Sequence, residues 1–358
     1  MRIAVLWINL TGYLNACLRE LNQMPGVKLF VAHQTSRSEA PFAEDQFGWI
    51  EDQYRYTDHP NTAELLNAVR KFDPELLIVS SWSVPAYRAV CTAMRNRAVR
   101  VCAMDNQWSG RPKQWLGILT SKVFVQRMFD AAFVAGERQA VFARRLGFPL
   151  ERIWPGLLSC DFSKFDAAGR EAPSIDQRRS FLYVGRLVPE KGIETLIAAY
   201  RRYRAEVPEA WPLKVAGTGP LRNIVEHEPG VEYQGFIQPD TLPNLFANSG
   251  TFVLPSRFEP WGVVIHEAAA SGLPIICTSP CGASDHLVRN GYNGFVVDPD
   301  DPGMLAAAMR KISDSSSEAR AEMARASYEL GCQFTPESWA RVVWEQGREL
   351  ARVVRRAA

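Results

Sequence analysis

The sequence lacks any long apolar run. No stretch reaches the roughly 18–20 apolar residues that a membrane-spanning helix needs. The apolar start MRIAVLWINL is too short for a secretory signal, so we predict a first buried strand there. The sequence also lacks a large excess of one charge. Its formal net charge is +2, which does not indicate a nucleic-acid-binding protein. These absences favour a cytoplasmic protein.

Metal-binding patterns are absent as well. The seven cysteines are scattered and form no CxxC pair, so we expect reduced thiols that serve as small packing residues. Cys277 and Cys281 lie four positions apart, but no second Cys or His pair accompanies them at zinc spacing. The five histidines form neither HxxxH nor HExxH. We therefore expect no protein-bound metal and no cofactor.

The length and the pattern of the chain predict two α/β domains. At 358 residues the chain exceeds the roughly 250–300 residues at which one core stops growing. Short apolar segments alternate with amphipathic ones in both halves, which predicts open parallel sheets with helices on both faces. The polar stretch 159–179 predicts the inter-domain connection. We predict domains at 1–160 and 161–336, with a C-terminal helix at 337–358 that packs back on the first.

Two carboxylates, Glu259 and Glu267, lie eight positions apart across a predicted strand-to-helix junction. The strand TFVL ends at Leu254, and a helix is predicted to begin near 261–262 and to end at Gly272. The pair could grip two ends of one polar ligand, with free N–H groups of the helix N-terminus offered to an anion. Equally, Glu259 could cap the helix and Glu267 could be solvated.

Two cations, Arg186 and Lys191, follow the strand FLYVG on a predicted βα loop. Arginine forks two N–H groups onto a phosphate, and lysine supplies a compact charge. The alternative is a pair of solvated cations, with Lys191 paired to Glu194 at the helix start. The glycine-rich loop KVAGTGPL (214–221) lacks both the GxGxxG order and a Walker lysine, so we expect its small residues to allow a close backbone approach.

Four stretches, taken in order, are similar to the retaining family-4 glycosyltransferases. They are YVGRLVPEKGIETLI, LKVAGTGPL, EYQGFIQPDTLPNLFANSGTFVLPSRFEPWGVVIHEAAASGLPIICT and CGASDHLVRNGYNGFVVDPDD. The EPWG variant followed by GASDHLV resembles one subgroup of that family, whereas the N-terminal half matches only in outline. The resemblance implies a GT-B fold, in which two Rossmann-like doubly wound domains face a central cleft. The first domain would bind the acceptor and the second the nucleotide sugar.

The resemblance also implies roles for single residues. Arg186 and Lys191 match the pair that holds the diphosphate of a nucleotide sugar. Glu259 matches a carboxylate near the hydroxyls of the donor sugar, and Glu267 matches the one that bonds the ribose. The other positions implied around the donor are the turn at Gly12, the loop glycines Gly185 and Gly217, the base-contacting Phe236 and Ile237, and the backbone amides of Trp261, Gly262 and Val263.

One position departs from the family pattern. Family members often carry a histidine at a strand end of the first domain, and this chain has CAMDNQW there. Either Asp105 orients the sugar or the acceptor in its place, or the two sequences are out of register in this half. An Asx turn after a strand explains Asp105 equally well.

The activity that the resemblance implies is that of a retaining, metal-independent hexosyltransferase. It would move a sugar from a UDP-, GDP- or other nucleotide sugar to a glycan, lipid-linked or small-molecule acceptor, in polysaccharide or glycoconjugate synthesis. The alternatives are a GT-B epimerase or hydrolase of nucleotide sugars, and a non-catalytic carbohydrate-binding relative.

The stretch RPKQWLGILTSKVFVQRM (111–128) is both cationic and apolar. We favour a buried helix whose lysines extend their charges to the surface. The alternative is a helix that rests on an anionic membrane as a peripheral contact.

Overall fold

The computed structural model describes residues 1–34 and 47–357 and divides into two compact units. Unit 1 comprises Met1–Ser159 together with Pro336–Ala358, and unit 2 comprises Cys160–Thr335. Each unit is an α/β domain built on one parallel sheet.

The elements of unit 1 alternate along the chain as the apolar pattern predicts. Its strands are β1 (Arg2–Asn9), β2 (Lys28–Gln34), β3 (Asp52–Tyr56), β4 (Leu76–Val79), β5 (Val99–Met104), β6 (Ala131–Val134) and β7 (Ile153–Pro155). Its helices are α1 (Gly12–Gln23), α2 (Thr62–Phe72), α3 (Pro85–Ala93), α4 (Pro112–Thr120), α5 (Val125–Met128) and α6 (Glu137–Arg145), and the C-terminal helix α15 (Pro336–Ala357) returns to this unit.

The described sheet of unit 1 has seven parallel strands in the order β3-β2-β1-β4-β5-β6-β7. Strand β4 is entirely buried, and so is the apolar centre of β1, as expected when helices cover both faces of a parallel sheet. The chain moves outward from β1 to β3 and then returns to β4 on the other side. The topological switch therefore lies between β1 and β4, where open α/β sheets bind ligands at the carboxyl ends of their strands.

The C-terminal helix belongs to the core of unit 1. The Trp339 indole donates a hydrogen bond to the carbonyl of Leu157 (2.7 Å), and its ring centroid lies 5.6 Å from that of Phe133. Gly347 lies so close to Leu76 that a Cβ there would stand 2.7 Å from a methyl carbon of that side chain. The last position of the expected helix, Ala358, lies outside the described residues.

Unit 2 repeats the same alternation. Its strands are β8 (Phe181–Val184), β9 (Leu213–Ala216), β10 (Val231–Gly235), β11 (Thr251–Leu254), β12 (Ile275–Thr278) and β13 (Gly294–Val297). Its helices are α7 (Phe162–Arg170), α8 (Ile193–Glu206), α9 (Arg222–Glu226), α10 (Leu242–Ala247), α11 (Val263–Ala270), α12 (Ser284–Leu287), α13 (Pro302–Ser313) and α14 (Ser317–Gly331).

The order of strands in unit 2 determines where its loops meet. The described sheet is parallel in the order β10-β9-β8-β11-β12-β13, so β8 and β11 are neighbours and mark the topological switch. The loop after β8 carries Arg186 and Lys191, and the loop after β11 carries Glu259. Because the carboxyl ends of parallel neighbours share one sheet edge, both loops open on the same crevice of unit 2.

The expected inter-domain connection at 159–179 is wrong in its central part. Residues Phe162–Arg170 form helix α7, with Phe162 and Phe165 buried. Phe165 meets Phe246 edge to face at 5.4 Å, and Phe162 packs against His266 at 5.8 Å. Two aromatic side chains one helical turn apart are enough to bury one face of this otherwise polar segment, which therefore belongs to unit 2.

The expectation that 111–128 forms a buried helix is also wrong. The stretch forms α4 and α5, but α4 contains no buried residue. Trp115, Leu116 and Leu119 are 51%, 62% and 79% exposed, and Val123 and Phe124 are 57% and 59% exposed. The apolar face of the segment is thus turned outward. Among the helices of the described residues, none has both the length and the apolar character needed to cross a membrane.

Candidate functional site

The loop that carries Arg186 has a fixed backbone and an open side chain. The N–H of Gly185 donates to the carbonyl of Ala216 (3.0 Å), and the buried hydroxyl of Tyr183 donates to the carbonyl of Arg186 (2.9 Å). The Arg186 side chain is exposed, and no hydrogen bond or ion pair of its guanidinium occurs within the described residues. The five N–H donors of this guanidinium are therefore available to a ligand at the end of a fixed loop.

The glycine-rich loop after β9 packs directly on this cationic loop. A Cβ on Gly217 would stand 1.9 Å from the carbonyl oxygen of Gly185, and one on Gly219 would stand 2.4 Å from that of Leu187. Both glycines have positive φ, at +140° and +156°. Their lack of a side chain lets the two βα loops touch backbone to backbone, which is the close approach expected from the sequence.

Lys191 and Glu259 form an ion pair. Lys191 ends a short 3-10 turn, Pro189–Lys191, and its ammonium donates a hydrogen bond to the Glu259 carboxylate. Only 17% of the lysine side chain and 12% of the glutamate side chain are exposed. The alternative pairing of Lys191 with Glu194 is wrong, because Glu194 accepts from Arg257 instead. The lysine that the sequence suggests for phosphate binding thus lies in direct contact with the carboxylate.

Arg257 ties the two loops together, and sequence reasoning did not identify it. One terminal nitrogen of its guanidinium donates to the carbonyl of Pro189 (2.7 Å) and to Glu194 (2.9 Å), while Nε donates to Asp300 (2.7 Å). Its backbone N–H donates to the carbonyl of Glu190 (2.9 Å). The bond from Arg257 lowers the pKa of Asp300. The only sequence signal was its position two residues before Glu259.

The segment that follows Glu259 is held by the turn after β12. Gly282 donates its N–H to the carbonyl of Glu259 (3.0 Å), and Ala283 donates to that of Trp261 (2.8 Å). The Trp261 side chain is 2% exposed and packs on His286 at 5.5 Å. The indole is therefore a core anchor, and it fixes the backbone of this segment together with the turn after β12.

Helix α11 starts without a side-chain cap. Its N-cap residue is Gly262, with φ of +95°, and no side chain accepts from the first N–H groups. The alternative in which Glu259 caps this helix is therefore wrong. Val263 opens the helix, so the first amides at Val263 and Val264 lack an intrahelical acceptor. An uncapped helix N-terminus beside a lysine favours a bound anion.

Glu267 lies one turn further along α11, on its fifth residue. Burial raises the pKa of its carboxyl to about 7, and the nearby charge of Asp161 adds to the shift. No hydrogen bond to this carboxylate occurs within the described part of the chain. The side chain is half-buried rather than freely solvated, in contrast to the solvated alternative.

The neighbouring residue, His266, fixes the position of α11. Its Nδ1 accepts from the N–H of Cys160 (3.0 Å), and its Nε2 donates to the carbonyl of Gly331 (2.9 Å). Burial lowers the pKa of this imidazole to about 4, so it is neutral at physiological pH. Since Nδ1 is an acceptor, the proton resides on Nε2. This histidine is structural.

The remaining expected residues lie at sheet edges. Phe236 and Ile237 are half-buried and directly follow the edge strand β10. In unit 1, Gly12 opens α1 after β1, and the exposed Asp105 directly follows β5, where its carbonyl accepts from Gln139 (3.1 Å). Gly12 and Asp105 thus share the carboxyl edge of the first sheet.

In unit 2, the charges of Arg186 and Glu259 both act on the buried hydroxyl of Tyr183. The charge of Glu259 raises the pKa of this buried phenol further above the value set by burial, while Arg186 opposes the shift. Both charged groups are therefore close to the same hydroxyl. Within residues 1–34 and 47–357, no three His, Cys, Asp or Glu side chains gather as a metal site.

Comparison with known proteins places these residues in a family context. Residues 166–330 match the family model of glycosyl transferases group 1. An uncharacterized glycosyltransferase of Methanocaldococcus jannaschii is 33% identical over 148 residues, which cover 38% of this chain and 36% of the relative. A GDP-mannose-dependent alpha-(1-6)-phosphatidylinositol monomannoside mannosyltransferase of Mycobacterium tuberculosis is 27% identical over 288 residues, covering 72% of this chain and 74% of the relative. The first three curated relatives are matched over only 36%, 49% and 38% of their own lengths.

Solved structures show the fold of the whole chain. The Anabaena protein HepE, in complex with UDP and glucose, superposes with a TM-score of 0.73 at 18% identity, covering 98% of this chain and 100% of that chain. At this identity the likeness shows the fold alone, and it confirms the expected GT-B class with two Rossmann-like domains. The chain thus combines a GT-B fold with a segment, residues 166–330, that matches the glycosyl transferases group 1 family.

Proposed function

We propose that the protein is a retaining glycosyltransferase that uses a nucleoside diphosphate sugar as donor. The observation that supports this most directly is that the neighbouring loops of the unit 2 crevice carry the open guanidinium of Arg186, the mostly buried Lys191–Glu259 ion pair and the uncapped start of α11. The donor diphosphate binds Arg186, Lys191 and the first amides of α11. The donor sugar lies against Glu259, and the ribose hydroxyls bond to Glu267.

The cations of the crevice supply the main catalytic effect. Cleavage of the bond between the anomeric carbon and the phosphate oxygen places negative charge on the departing diphosphate. Arg186 and Lys191 donate to that charge from fixed loops, and one preorganised donor of this kind is worth about 3–4 kcal/mol. The charge of the leaving group is met by side chains and helix amides, so no metal ion is required by this scheme.

The proposed reaction proceeds on one face of the sugar. The acceptor hydroxyl oxygen bonds to the anomeric carbon as the phosphate oxygen leaves from the same face, and the departing phosphate takes the hydroxyl proton. The anomeric configuration is thereby retained. Glu259 orients the sugar hydroxyls and accepts a hydrogen bond from the Lys191 ammonium. It therefore acts as a binding group and not as a nucleophile.

Further donor contacts follow from the positions of the remaining residues. The base lies beside Phe236 and Ile237 at the edge of the second sheet, and the phosphates lie beside the two loops that Gly185 and Gly217 bring into backbone contact. Unit 1 supplies the acceptor site, with Gly12 and Asp105 at the carboxyl edge of its sheet. A glycan or lipid-linked acceptor of polysaccharide or glycoconjugate synthesis is the proposed substrate class.

Release of nucleoside diphosphate from a panel of donors tests the proposal. UDP-glucose, UDP-N-acetylglucosamine and GDP-mannose are the first members, since the similar HepE structure contains UDP and glucose and the similar Mycobacterium tuberculosis mannosyltransferase is GDP-mannose-dependent. We expect one donor to be hydrolysed slowly without acceptor and to release its nucleoside diphosphate faster when a glycan acceptor receives the sugar, with activity unchanged by EDTA. The anomeric coupling constants of the product report retention. Sugar epimerisation without transfer would instead favour the epimerase alternative.

A further inference from the structure

The segment 111–128 presents an apolar surface that the proposed sugar transfer does not use. We define the 111–128 surface by its five exposed side chains, which are Trp115, Leu116, Leu119, Val123 and Phe124. Each is more than half exposed. Side chains of this size are normally buried, and a contiguous exposed group of them marks an interaction site.

The three helical members lie on one side of α4. At about 100° per residue, Trp115, Leu116 and Leu119 fall within an arc of roughly 100°, and Lys113 lies about 60° beyond Leu116. The face therefore has an apolar centre with a cation at its margin. Such a helix lies flat in an interface instead of packing into a core.

The charged side chains of the segment itself are all of one sign. Arg111, Lys113, Lys122 and Arg127 are exposed, and no Asp or Glu occurs between Asp105 and Asp130. A second copy of the chain on the same patch would set these cations against their own counterparts, which is unfavourable in an isologous dimer. An apolar centre with a cationic margin instead matches a surface of acyl chains beneath anionic headgroups.

The surface is firmly attached to unit 1. Trp115 meets Trp108 edge to face at 5.2 Å, and the guanidinium of Arg145 lies 4.5 Å above the Trp108 ring. At the other end, the Gln126 amide donates to the carbonyl of Leu146 (2.9 Å). Contacts to α6 and the turn after it therefore hold both ends of the segment, so its exposed side chains are presented on a formed scaffold.

We propose that the 111–128 surface docks unit 1 onto an anionic lipid bilayer. Trp115, Leu116, Leu119 and Phe124 enter the boundary between headgroups and acyl chains, while Lys113 and Lys122 contact the anionic headgroups. The contact is peripheral. It adds a binding surface to the protein that is independent of the donor crevice in unit 2.

Vesicle sedimentation tests this docking with the full chain. We expect the protein to pellet with phosphatidylcholine vesicles that contain phosphatidylglycerol, and far less with phosphatidylcholine alone. The double change Leu116→Ser/Leu119→Ser should lower the partition coefficient at least about tenfold. Lys113→Gln/Lys122→Gln should lower it about tenfold or more on anionic vesicles, and should reduce its salt dependence.

Matched variants keep the outcome interpretable. Tyr292→Ser/Met304→Ser removes two side chains of unit 2 that are 49% and 44% exposed, and it should leave vesicle binding unchanged. All variants should keep the wild-type melting temperature and the wild-type donor hydrolysis. Equal binding to neutral vesicles, or no binding at all, would overturn the proposal. Self-association in sedimentation velocity that the leucine variant abolishes would assign the surface to a second copy of the chain instead.

Discussion

The Lys191 ammonium donates a hydrogen bond to the Glu259 carboxylate, although the two residues are 68 positions apart. The contact joins the loop after β8 to the loop after β11 at the topological switch of the second sheet. Both side chains are mostly buried, at 17% and 12% exposure, so water screens the pair only weakly. In the proposed function, a bound diphosphate would meet a lysine that the Glu259 carboxylate already holds in place.

This pair predicts coupled effects on activity and stability. Lys191→Ala and Glu259→Ala should each lower transfer about 10²–10³-fold, because a donor to the leaving group or the group that holds the sugar is lost. Each single change also leaves a partly buried charge without its partner. The double variant should therefore be more stable, by about 1–3 kcal/mol, than the sum of the two single-variant losses in unfolding free energy predicts. Urea unfolding of the four proteins measures this coupling.

The exposed pair of Arg310 and Glu206 is the matched control. Its side chains are 50% and 52% exposed at an N–O distance of 3.0 Å. The same double-mutant cycle there should give a coupling below about 0.5 kcal/mol and unchanged transfer, because exposed ion pairs contribute little. Equal coupling energies in the two cycles would contradict the inference that burial shields the Lys191–Glu259 pair from water.

The raised pKa of Glu267 predicts that stability and donor affinity change in opposite directions with pH. Its pKa of about 7 in the folded protein lies above the ordinary 4.5, so between these values the folded state holds a proton that the unfolded state releases. Stability therefore falls as pH rises through this window and levels off above it. Glu267→Gln removes the effect, and at pH 8 it should stabilise the protein by about 1–2 kcal/mol in thermal unfolding.

Donor binding should respond in the other direction. The ionised carboxylate accepts ribose hydroxyls most strongly, so affinity for the nucleotide sugar should fall as pH drops from 8 to 6. Glu267→Gln should weaken binding and flatten this profile. A 2′,3′-dideoxy analogue of the donor is the control, and it should show the flat profile with the wild-type protein. A wild-type profile that does not change with pH would contradict the ribose assignment.

The conformation of Gly192 predicts that a residue without a side chain is required at the start of α8. Its φ is +67°, and a Cβ would stand 2.0 Å from the carbonyl oxygen of Pro255 in the loop that leads to Glu259. Gly192→Ala should cost about 3 kcal/mol or more and impair donor binding, because the two loops must separate. Gly291 has φ of +75° with no atom within 4 Å of such a Cβ, so Gly291→Ala should cost only about 1–2 kcal/mol. Equal costs in chemical denaturation would refute the close approach.

Arg257 should act as a positioning residue. Arg257→Ala removes the bonds to Pro189, Glu194 and Asp300, so the Lys191 loop should become mobile. We expect the KM for the donor to rise about tenfold with a smaller change in kcat, since the residue orders the binding loop without touching the substrate. Arg257→Lys should rescue part of the loss. Arg310→Ala, which removes another arginine–carboxylate pair of unit 2, should leave both constants unchanged.

The sequence predicted the fold class because its apolar segments alternate in both halves. It also placed Arg186, Lys191 and Glu259 on loops that follow strands and Glu267 in the helix after them, because turn residues mark the strand ends; their roles toward a donor stay predictions. It did not show the contact of Lys191 with Glu259 or the bonds of Arg257, because these join residues more than forty positions apart. Such contacts depend on strand order, which local spacing does not encode.

Two burial predictions were wrong for a related reason. Helix α7 looked like a linker because its polar residues outnumber Phe162 and Phe165, yet those two rings bury its face. The segment 111–128 looked like a core helix because it is rich in large apolar side chains, yet Leu116 and Leu119 point outward. The composition of a segment shows how apolar it is, but it does not show whether another part of the protein packs against it.

Calorimetric titration of the protein with the donor found in the panel tests the central claim most directly. The wild-type protein should bind the nucleotide sugar with one site, and Arg186→Ala should weaken binding by about tenfold or more through loss of a charged hydrogen bond. Arg222→Ala, at another exposed arginine of unit 2, should bind as the wild type does. Wild-type affinity in Arg186→Ala would contradict the placement of the donor diphosphate in this crevice.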